Sequence, residues 1–206
     1  MTTWAVLPVK PLPVGKSRLH ACLSPREVYR LNRELLKTTF WRLKNCALID
    51  KILVISRDDE VMALTKEWGG IALAEASPSS LNLAVNQAFG YIQKQGSGSV
   101  LVIPADLPQM SSNDLDEVIR LGSDQNFLVI VPDLHQSGTN ALFMSQPGLI
   151  KPMFGRRSYQ KHIKQALVNS IDLTVWLNKK IQSDLDTPQD LENYNKINLY
   201  SLEEFN

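Results

Sequence analysis

Seven short apolar runs, spaced along the chain and separated mostly by amphipathic stretches, limit what this sequence can become. They are Trp4–Val9, Ile52–Ser56, Ile71–Ala74, Val100–Ile103, Phe127–Val131, Ala141–Met144 and Leu173–Leu177. Runs of this length, several rich in Val and Ile, read as buried strands. Helix signals fall between them. Ser24-Pro25-Arg26-Glu27 is a capping box with proline at the first helical position, followed by Leu31, Leu35, Leu36, Phe40 and Leu43 at helical spacing. Asp58 is predicted to cap a second helix ending at Gly69-Gly70. Ser111–Asp114 and Thr187–Asp190 are predicted to open two more, and Tyr159–Leu167 also reads as helix. This alternation implies an α/β fold of three layers, α/β/α, with a mostly parallel central sheet. A chain of 206 residues fits one domain. The stretch 134–160 alternates less cleanly and is expected to be a substrate-side insertion with short strands of its own.

Composition narrows the classes of function. With 44% hydrophobic and 21% charged residues the chain is ordinary globular material, which excludes wholesale disorder. The net charge of +1 argues against a general nucleic-acid binder. No stretch has the length and apolarity of a membrane span; the longest charge-free stretch, Ala76 to Gln93, is full of Ser, Asn and Gln. The N-terminus has no basic region followed by a long apolar one, so no signal peptide is expected. Two cysteines and three scattered histidines make neither a disulfide framework nor a zinc spacing, and a cytoplasmic, reducing setting is expected. The charge is uneven, with basic residues in excess over the first 60 positions and acidic ones in excess from 183 onward. Two solvated faces would account for that. So would a basic segment for an anion and an acidic one for a metal.

Ligands of open α/β sheets bind beyond the carboxyl ends of the strands, so the residues that follow each apolar run deserve scrutiny. The first run is followed by Lys10, Gly15, Lys16, Ser17 and Arg18; the fourth by Pro104-Ala105-Asp106; the fifth by Pro132-Asp133. Near the C-terminus stand Asp184 and Asp186. Gly15-Lys16-Ser17 is not a P-loop, because Lys10 stands where that motif needs its first glycine, and no dinucleotide fingerprint is present. What remains is a loop of cations suited to phosphates. In an extended segment Asp184 and Asp186 point to one side, and with Asp106 they form a carboxylate set suited to Mg²⁺, a hard cation that shares carboxylates with phosphate oxygens. The competing reading is that Asp186 or Thr187 simply caps the last helix. Gly138-Thr139-Asn140 and Phe154-Gly155-Arg156-Arg157-Ser158 are further polar clusters; Ser158 is read as the cap of a helix whose N-terminus would suit a phosphate. His162 reads as structural. Neither His20, His135, Cys22 nor Cys46 belongs to a nucleophilic dyad.

Taken in order, Leu7-Pro8-Val9-Lys10-Pro11, Gly15-Lys16-Ser17-Arg18-Leu19, Leu81-Asn82, Pro104-Ala105-Asp106-Leu107-Pro108, Pro132-Asp133, Gly138–Leu142, Phe154-Gly155, Ser158 and Asp184–Leu191 resemble the 2-phospho-L-lactate / phosphoenolpyruvate guanylyltransferases. That family makes a GDP-linked intermediate of the deazaflavin coenzyme F-420. The resemblance implies a nucleotide-diphospho-sugar-transferase-like fold. It implies Mg²⁺ at Asp106, Asp184 and Asp186. It implies the acceptor acid's phosphate at Thr139, Gly155 and Ser158, and GTP at Lys10, Lys16, Arg18 and Asn82. Lys16, Arg18 and Asp106 would carry the catalysis. Two positions depart from the family. Ser80 stands where a glycine is usual, and Arg156-Arg157 stand where a small-residue turn is usual; arginine resists backbone shapes that glycine permits, and the pair adds positive charge beside the acceptor phosphate.

The reaction so implied is nucleotidyl transfer. A phosphate oxygen of a small phosphorylated carboxylic acid, phosphoenolpyruvate or 2-phospho-L-lactate, attacks the α-phosphorus of GTP and pyrophosphate leaves. A phosphate monoester has a second pKa of about 6 and is mostly ionised at neutral pH, so no general base is required. Two other readings stand beside this one: a related nucleotidyltransferase acting on 3-phosphoglycerate or a sugar phosphate, and a nucleotide-binding relative without turnover. A homodimer is left open.

Overall fold

A computed structural model describes residues 2–77, 80–122 and 125–203, with the backbone alone from 197 to 203. All seven apolar runs form strands: β1 Thr3–Pro8, β2 Lys51–Ser56, β3 Ile71–Ala74, β4 Ser99–Val102, β5 Phe127–Pro132, β6 Thr139–Met144 and β7 Asp172–Val175. They make a single sheet in the order β3-β2-β1-β4-β6-β5-β7. Every pairing is parallel except the two made by β6, which runs antiparallel to β4 and β5.

The helices are α1 Pro25–Lys44, α2 Asp59–Glu67, α3 Leu81–Lys94, α4 Ser112–Arg120, α5 Ser158–Val168, the short α6 Lys179–Gln182 and α7 Pro188–Glu203. The capping box at Ser24 and Glu27 closes the start of α1, and Asp58 accepts from the backbone N–H of Glu60 and Val61 to start α2. Helix α3 has no capping box to announce it. Its cap is Ser80, in extended backbone at φ −156°, whose hydroxyl accepts from Leu83 N–H. The glycine usual at that position is therefore not needed for its backbone freedom.

Strand residues alternate between two cores. Ala5, Leu7, Leu101, Val129 and Phe143 pack with Leu36, Phe40 and Leu43 of α1 and Leu115 and Val118 of α4. Trp4, Val6, Val100, Leu128 and Leu142 pack with Val85, Ala88 and Ile92 of α3 and Ala166 of α5. Helices thus cover both faces, which is what strands apolar on both sides require. Among the described residues no helix is long and apolar enough to cross a membrane.

The order reverses at β1, since β2 lies on one side of it and β4 on the other, and this is where a cleft opens beyond the carboxyl ends. β6 adds a second consequence. Being antiparallel, it brings its amino end, Thr139 and Asn140, to the edge where its neighbours present their carboxyl ends; Thr139 pairs with Pro132 at the end of β5. These residues lie inside the stretch 134–160 expected as an insertion with strands of its own, and the strand there belongs instead to the middle of the main sheet. Its alternation is obscured because all six of its residues are buried.

The placement of β6 predicts a large core penalty. Phe143 is 2% exposed and packs against Phe127 with ring centroids 5.1 Å apart. Phe143→Ala should cost about 3–5 kcal/mol in urea unfolding; a cost below about 1 kcal/mol would place β6 at the periphery.

Candidate functional site

The loop after β1 is tied down at several points. Val9 N–H donates to the carbonyl of Ile55 at 2.9 Å, Leu12 N–H to Asp58 Oδ2 at 2.8 Å, and Asn32 Nδ2 to the carbonyl of Leu12 at 2.8 Å. Asp58 therefore both caps α2 and anchors this loop. Beyond Leu12 the chain turns through Gly15 at φ +108° and Lys16 at φ +50°. Left-handed backbone costs a lysine free energy that glycine avoids, and the turn aims the Lys16 side chain inward.

There Lys16 Nζ lies 2.5 Å from Asp106 Oδ2 and 2.9 Å from Asp186 Oδ1. Its side chain is 6% exposed. Burial alone would lower its pKa, but the two carboxylates outweigh that and raise it. The aspartates are themselves held by backbone. Thr39 Oγ1 donates to the carbonyl of Ala105, Leu185 N–H to that of Asp106, and Arg42 to that of Leu107. Leu185 is buried, 1% exposed, between Asp184 and Asp186 in sequence. Asn140 Nδ2 donates to the carbonyls of Ile181 and Gln182 at 2.9 and 3.0 Å, which docks the approach to Asp184 on β6. Capping of the last helix falls to Thr187 and Asp190, whose side chains bond each other's backbone N–H, and Asp186 is left to pair with Lys16.

Asp184 is held above the usual carboxylate range, first by burial and then by the charge of Asp106, with Asp186 adding to it and Lys16 offsetting only part. One ammonium thus faces three carboxylates. Such a deficit of positive charge, with oxygen donors throughout, fits a divalent hard cation. Among the described residues no set of three or more His, Cys, Asp and Glu side chains already stands in metal-binding geometry; Lys16 lies between two of the three expected ligands.

The cleft beside this cluster has a volume of about 650 Å³. Lys10, Lys16, Arg18, Asp106 and Asp186 line it, with Leu12, Leu35, Ile55 and Ala84 giving apolar wall. Arg57, which follows β2, also lines it and was missed in the sequence, although the strand-end rule that singled out Lys10 and Asp106 applies equally to it. Asn82 is not among the lining residues. Its side chain bonds Phe154 at both ends, Oδ1 accepting from the backbone N–H at 2.7 Å and Nδ2 donating to the carbonyl at 3.2 Å. Asp133 is likewise turned away from the charge cluster, accepting from Ser137 and Gly138 N–H to shape the turn into β6.

Thr139, Gly155 and Ser158 form a second group, outside that lining. Thr139 Oγ1 lies 3.1 Å from His162 Nδ1, and His162 Nε2 accepts from Met153 N–H at 2.9 Å. His162 is fully buried, which holds its pKa down at about 4, with the nearby Lys161 charge adding to the effect. Ser158 was expected to cap α5. It is instead the first helical residue, and the cap is Arg157 at φ +56° with no side-chain capping bond. The Ser158 hydroxyl is buried with no hydrogen-bond partner among the described residues. A Cβ on Gly155, at φ +104°, would meet nothing within 4 Å, so it is the backbone turn and not crowding that favours glycine there. Arg156 and Arg157 are both exposed, and Arg157 pays the conformational cost that a small-residue turn would avoid.

Comparison with known proteins shows the family and the likeness of fold. The family described as "Guanylyl transferase CofC like" matches residues 3–195. A phosphoenolpyruvate guanylyltransferase of Sphaerobacter thermophilus is 32% identical over 192 residues, covering 93% of this chain and 92% of that protein. A 2-phospho-L-lactate guanylyltransferase of Methanocaldococcus fervens is 27% identical over 186 residues, covering 90% of this chain and 81% of the relative. Among solved structures, a nucleotidyl transferase from Methanothermobacter thermautotroptrophicus superposes with a TM-score of 0.71 at 11% identity, over 97% of this chain and 99% of that one. The 4-diphosphocytidyl-2C-methyl-D-erythritol synthase from Anaerococcus prevotii gives a TM-score of 0.65 at 13% identity, over 95% of each chain. These two establish the likeness of fold.

Two titrations follow from the site. His162 has a pKa of about 4 in the fold against an ordinary 6.5, so the unfolded chain binds the extra proton first. Its contribution is complete above pH 6.5 and is lost as pH falls toward 4, a loss of about 3 kcal/mol at most. Urea midpoints measured across that window should fall less steeply for His162→Phe than for wild type. Asp184 is shifted the opposite way, its charged form being disfavoured in the fold. Asp184→Asn should therefore raise the melting temperature at pH 7 in metal-free buffer. An unchanged or lower value would mean that the carboxylate is already compensated.

Proposed function

The chain belongs to the CofC-like guanylyl transferase family and is a nucleotidyltransferase, and on that premise we propose that it joins GMP from GTP to a small phosphorylated carboxylic acid and releases pyrophosphate. The observation that carries this reading is the cluster of Lys16, Asp106, Asp184 and Asp186 at the mouth of a cleft rimmed by Lys10, Arg18 and Arg57. Cations and carboxylates at one strand edge suit a triphosphate with a divalent metal. The acceptor is phosphoenolpyruvate or 2-phospho-L-lactate, the acids named for the relatives, and the product is the GDP-linked acid of the deazaflavin coenzyme route.

In this reading Lys10, Lys16, Arg18 and Arg57 hold the triphosphate. Asp106, Asp184 and Asp186 would hold Mg²⁺, which would supply neutralisation of phosphate charge for attack by an anion. Binding there requires Lys16 to give up at least one of its two carboxylates, and the phosphates of GTP are the natural new partner for its ammonium. Thr139, Gly155 and Ser158 take the acceptor's phosphate. The buried Ser158 hydroxyl gains in that way a partner it lacks, and an unmade bond at such a site costs about 1–3 kcal/mol. The acceptor's phosphate oxygen attacks the α-phosphorus of GTP, the new P–O bond forms, and the bond to pyrophosphate breaks. No protein base takes part, since the attacking monoester is mostly ionised at neutral pH.

The test is pyrophosphate release from GTP and Mg²⁺ with phosphoenolpyruvate and 2-phospho-L-lactate as parallel acceptors. Turnover with one of them is expected. Asp106→Asn and Asp186→Asn should each lower kcat about a hundredfold or more with the far-UV circular dichroism unchanged. Near-normal turnover in both would remove the carboxylates from the reaction.

A further inference from the structure

One buried imidazole contacts Thr139 and the segment that leads to Gly155, and shares a helix with Ser158. His162 reaches Thr139 through Nδ1 at 3.1 Å. It reaches the segment before Gly155 through Nε2, which accepts from Met153 N–H at 2.9 Å. Four residues after Ser158 on α5, it shares that residue's helix face. Its ring stacks edge-on against Phe154, centroids 5.2 Å apart, and Phe154 is gripped at both backbone ends by Asn82.

The hydrogen bonds set the tautomer. A backbone N–H can only donate, so Nε2 carries no proton and the neutral ring has its proton on Nδ1. Nδ1–H therefore donates to Thr139 Oγ1. That hydroxyl, having accepted from the ring, is left with its own proton to donate away from His162. A phosphate oxygen offers only acceptors, so the clamp turns an ambivalent hydroxyl into a committed donor suited to it.

We propose that His162 is a positioning residue of the acceptor site, where its imidazole, fixed by Met153, directs the Thr139 hydroxyl proton toward the phosphate of the bound acid. The inference rests on the guanylyl-transfer reading for the identity of that acid. It does not rest on it for the tautomer, which belongs to the ligand-free protein.

The test combines ligand-free spectroscopy with a split of kinetic constants. Side-chain ¹⁵N NMR at pH 7 should show one of the three histidine rings as neutral with its proton on Nδ1, and that signal should vanish in His162→Gln. An imidazolium or an Nε2–H ring at this position would overturn the proposal. His162→Gln leaves an amide near the Nε2 position and no donor for Thr139, so it should raise the KM for phosphoenolpyruvate about tenfold while KM for GTP and kcat stay within about twofold. His162→Asn restores an N–H near the Nδ1 position and should recover most of that loss. In a Thr139→Val background, His162→Gln should have no further effect on the phosphoenolpyruvate KM. Equal losses for both substrates, or additive effects of the two substitutions, would overturn the positioning role and leave His162 as core. If wild type turns over neither acid, the guanylyl-transfer reading fails instead, and the NMR result still decides whether the clamp exists.

Discussion

The contact of the Lys16 ammonium with Asp106 and Asp186 joins parts of the chain that are 90 and 170 residues apart in sequence. Much of the surrounding structure serves to hold its three members. The loop bearing Lys16 is pinned by Asp58 and Asn32 and turned inward through two left-handed residues. Three successive carbonyls around Asp106 accept hydrogen bonds from Thr39, Leu185 and Arg42. The segment with Asp186 is docked by Asn140. An ammonium this enclosed is stable only because its charge is matched, and burial without the carboxylates would favour its neutral form. Three carboxylates against one ammonium also leave an unbalanced negative charge, so Lys16 does not neutralise the cluster by itself.

The direction of one strand decides the other half of the site. Had β6 run parallel like its neighbours, Thr139 and Asn140 would lie at the far edge of the sheet. Running antiparallel, it carries Thr139 to His162 of α5 and Asn140 to the backbone that leads to Asp184. The two halves are thus mechanically linked through adjacent residues of one strand. The exposed Arg156 and Arg157 belong to the turn into α5, where a left-handed arginine marks a place at which this chain accepts strain that a smaller residue would avoid.

Much of this was legible in advance. Period and length identified all seven strands, and short-range capping chemistry identified the starts of α1, α2 and α4, because a cap is a bond between residues two or three apart and needs no knowledge of the fold. Helix α3 was harder, since Ser80 caps it without an acidic partner at the third position. Strand-end reasoning picked Lys10, Lys16, Arg18 and Asp106 and passed over Arg57, which obeys the same rule. Asn82 was assigned by resemblance, and Ser158 first as a helix cap suited to a phosphate and then by resemblance. The structure turns the Asn82 side chain to the Phe154 backbone and makes Ser158 the first helical residue. His162 read as an ordinary core histidine because nothing local in the sequence shows that its two nitrogens bridge Thr139 and Met153.

By itself the sequence determined the elements and the kinds of group available: strands apolar on both faces that demand helices on both sides, caps that start them, cations after the first strand and carboxylates after later ones. Those properties are set by interactions within a few residues and by the burial each pattern requires. Only the tertiary structure decided that β6 runs backward, that Lys16 spans Asp106 and Asp186, that Asp133 shapes a turn, and that His162 holds Thr139. Each of these depends on the order and direction in which distant strands pair. That choice is made by packing the whole sheet between its two helical layers, and no local stretch of residues encodes it.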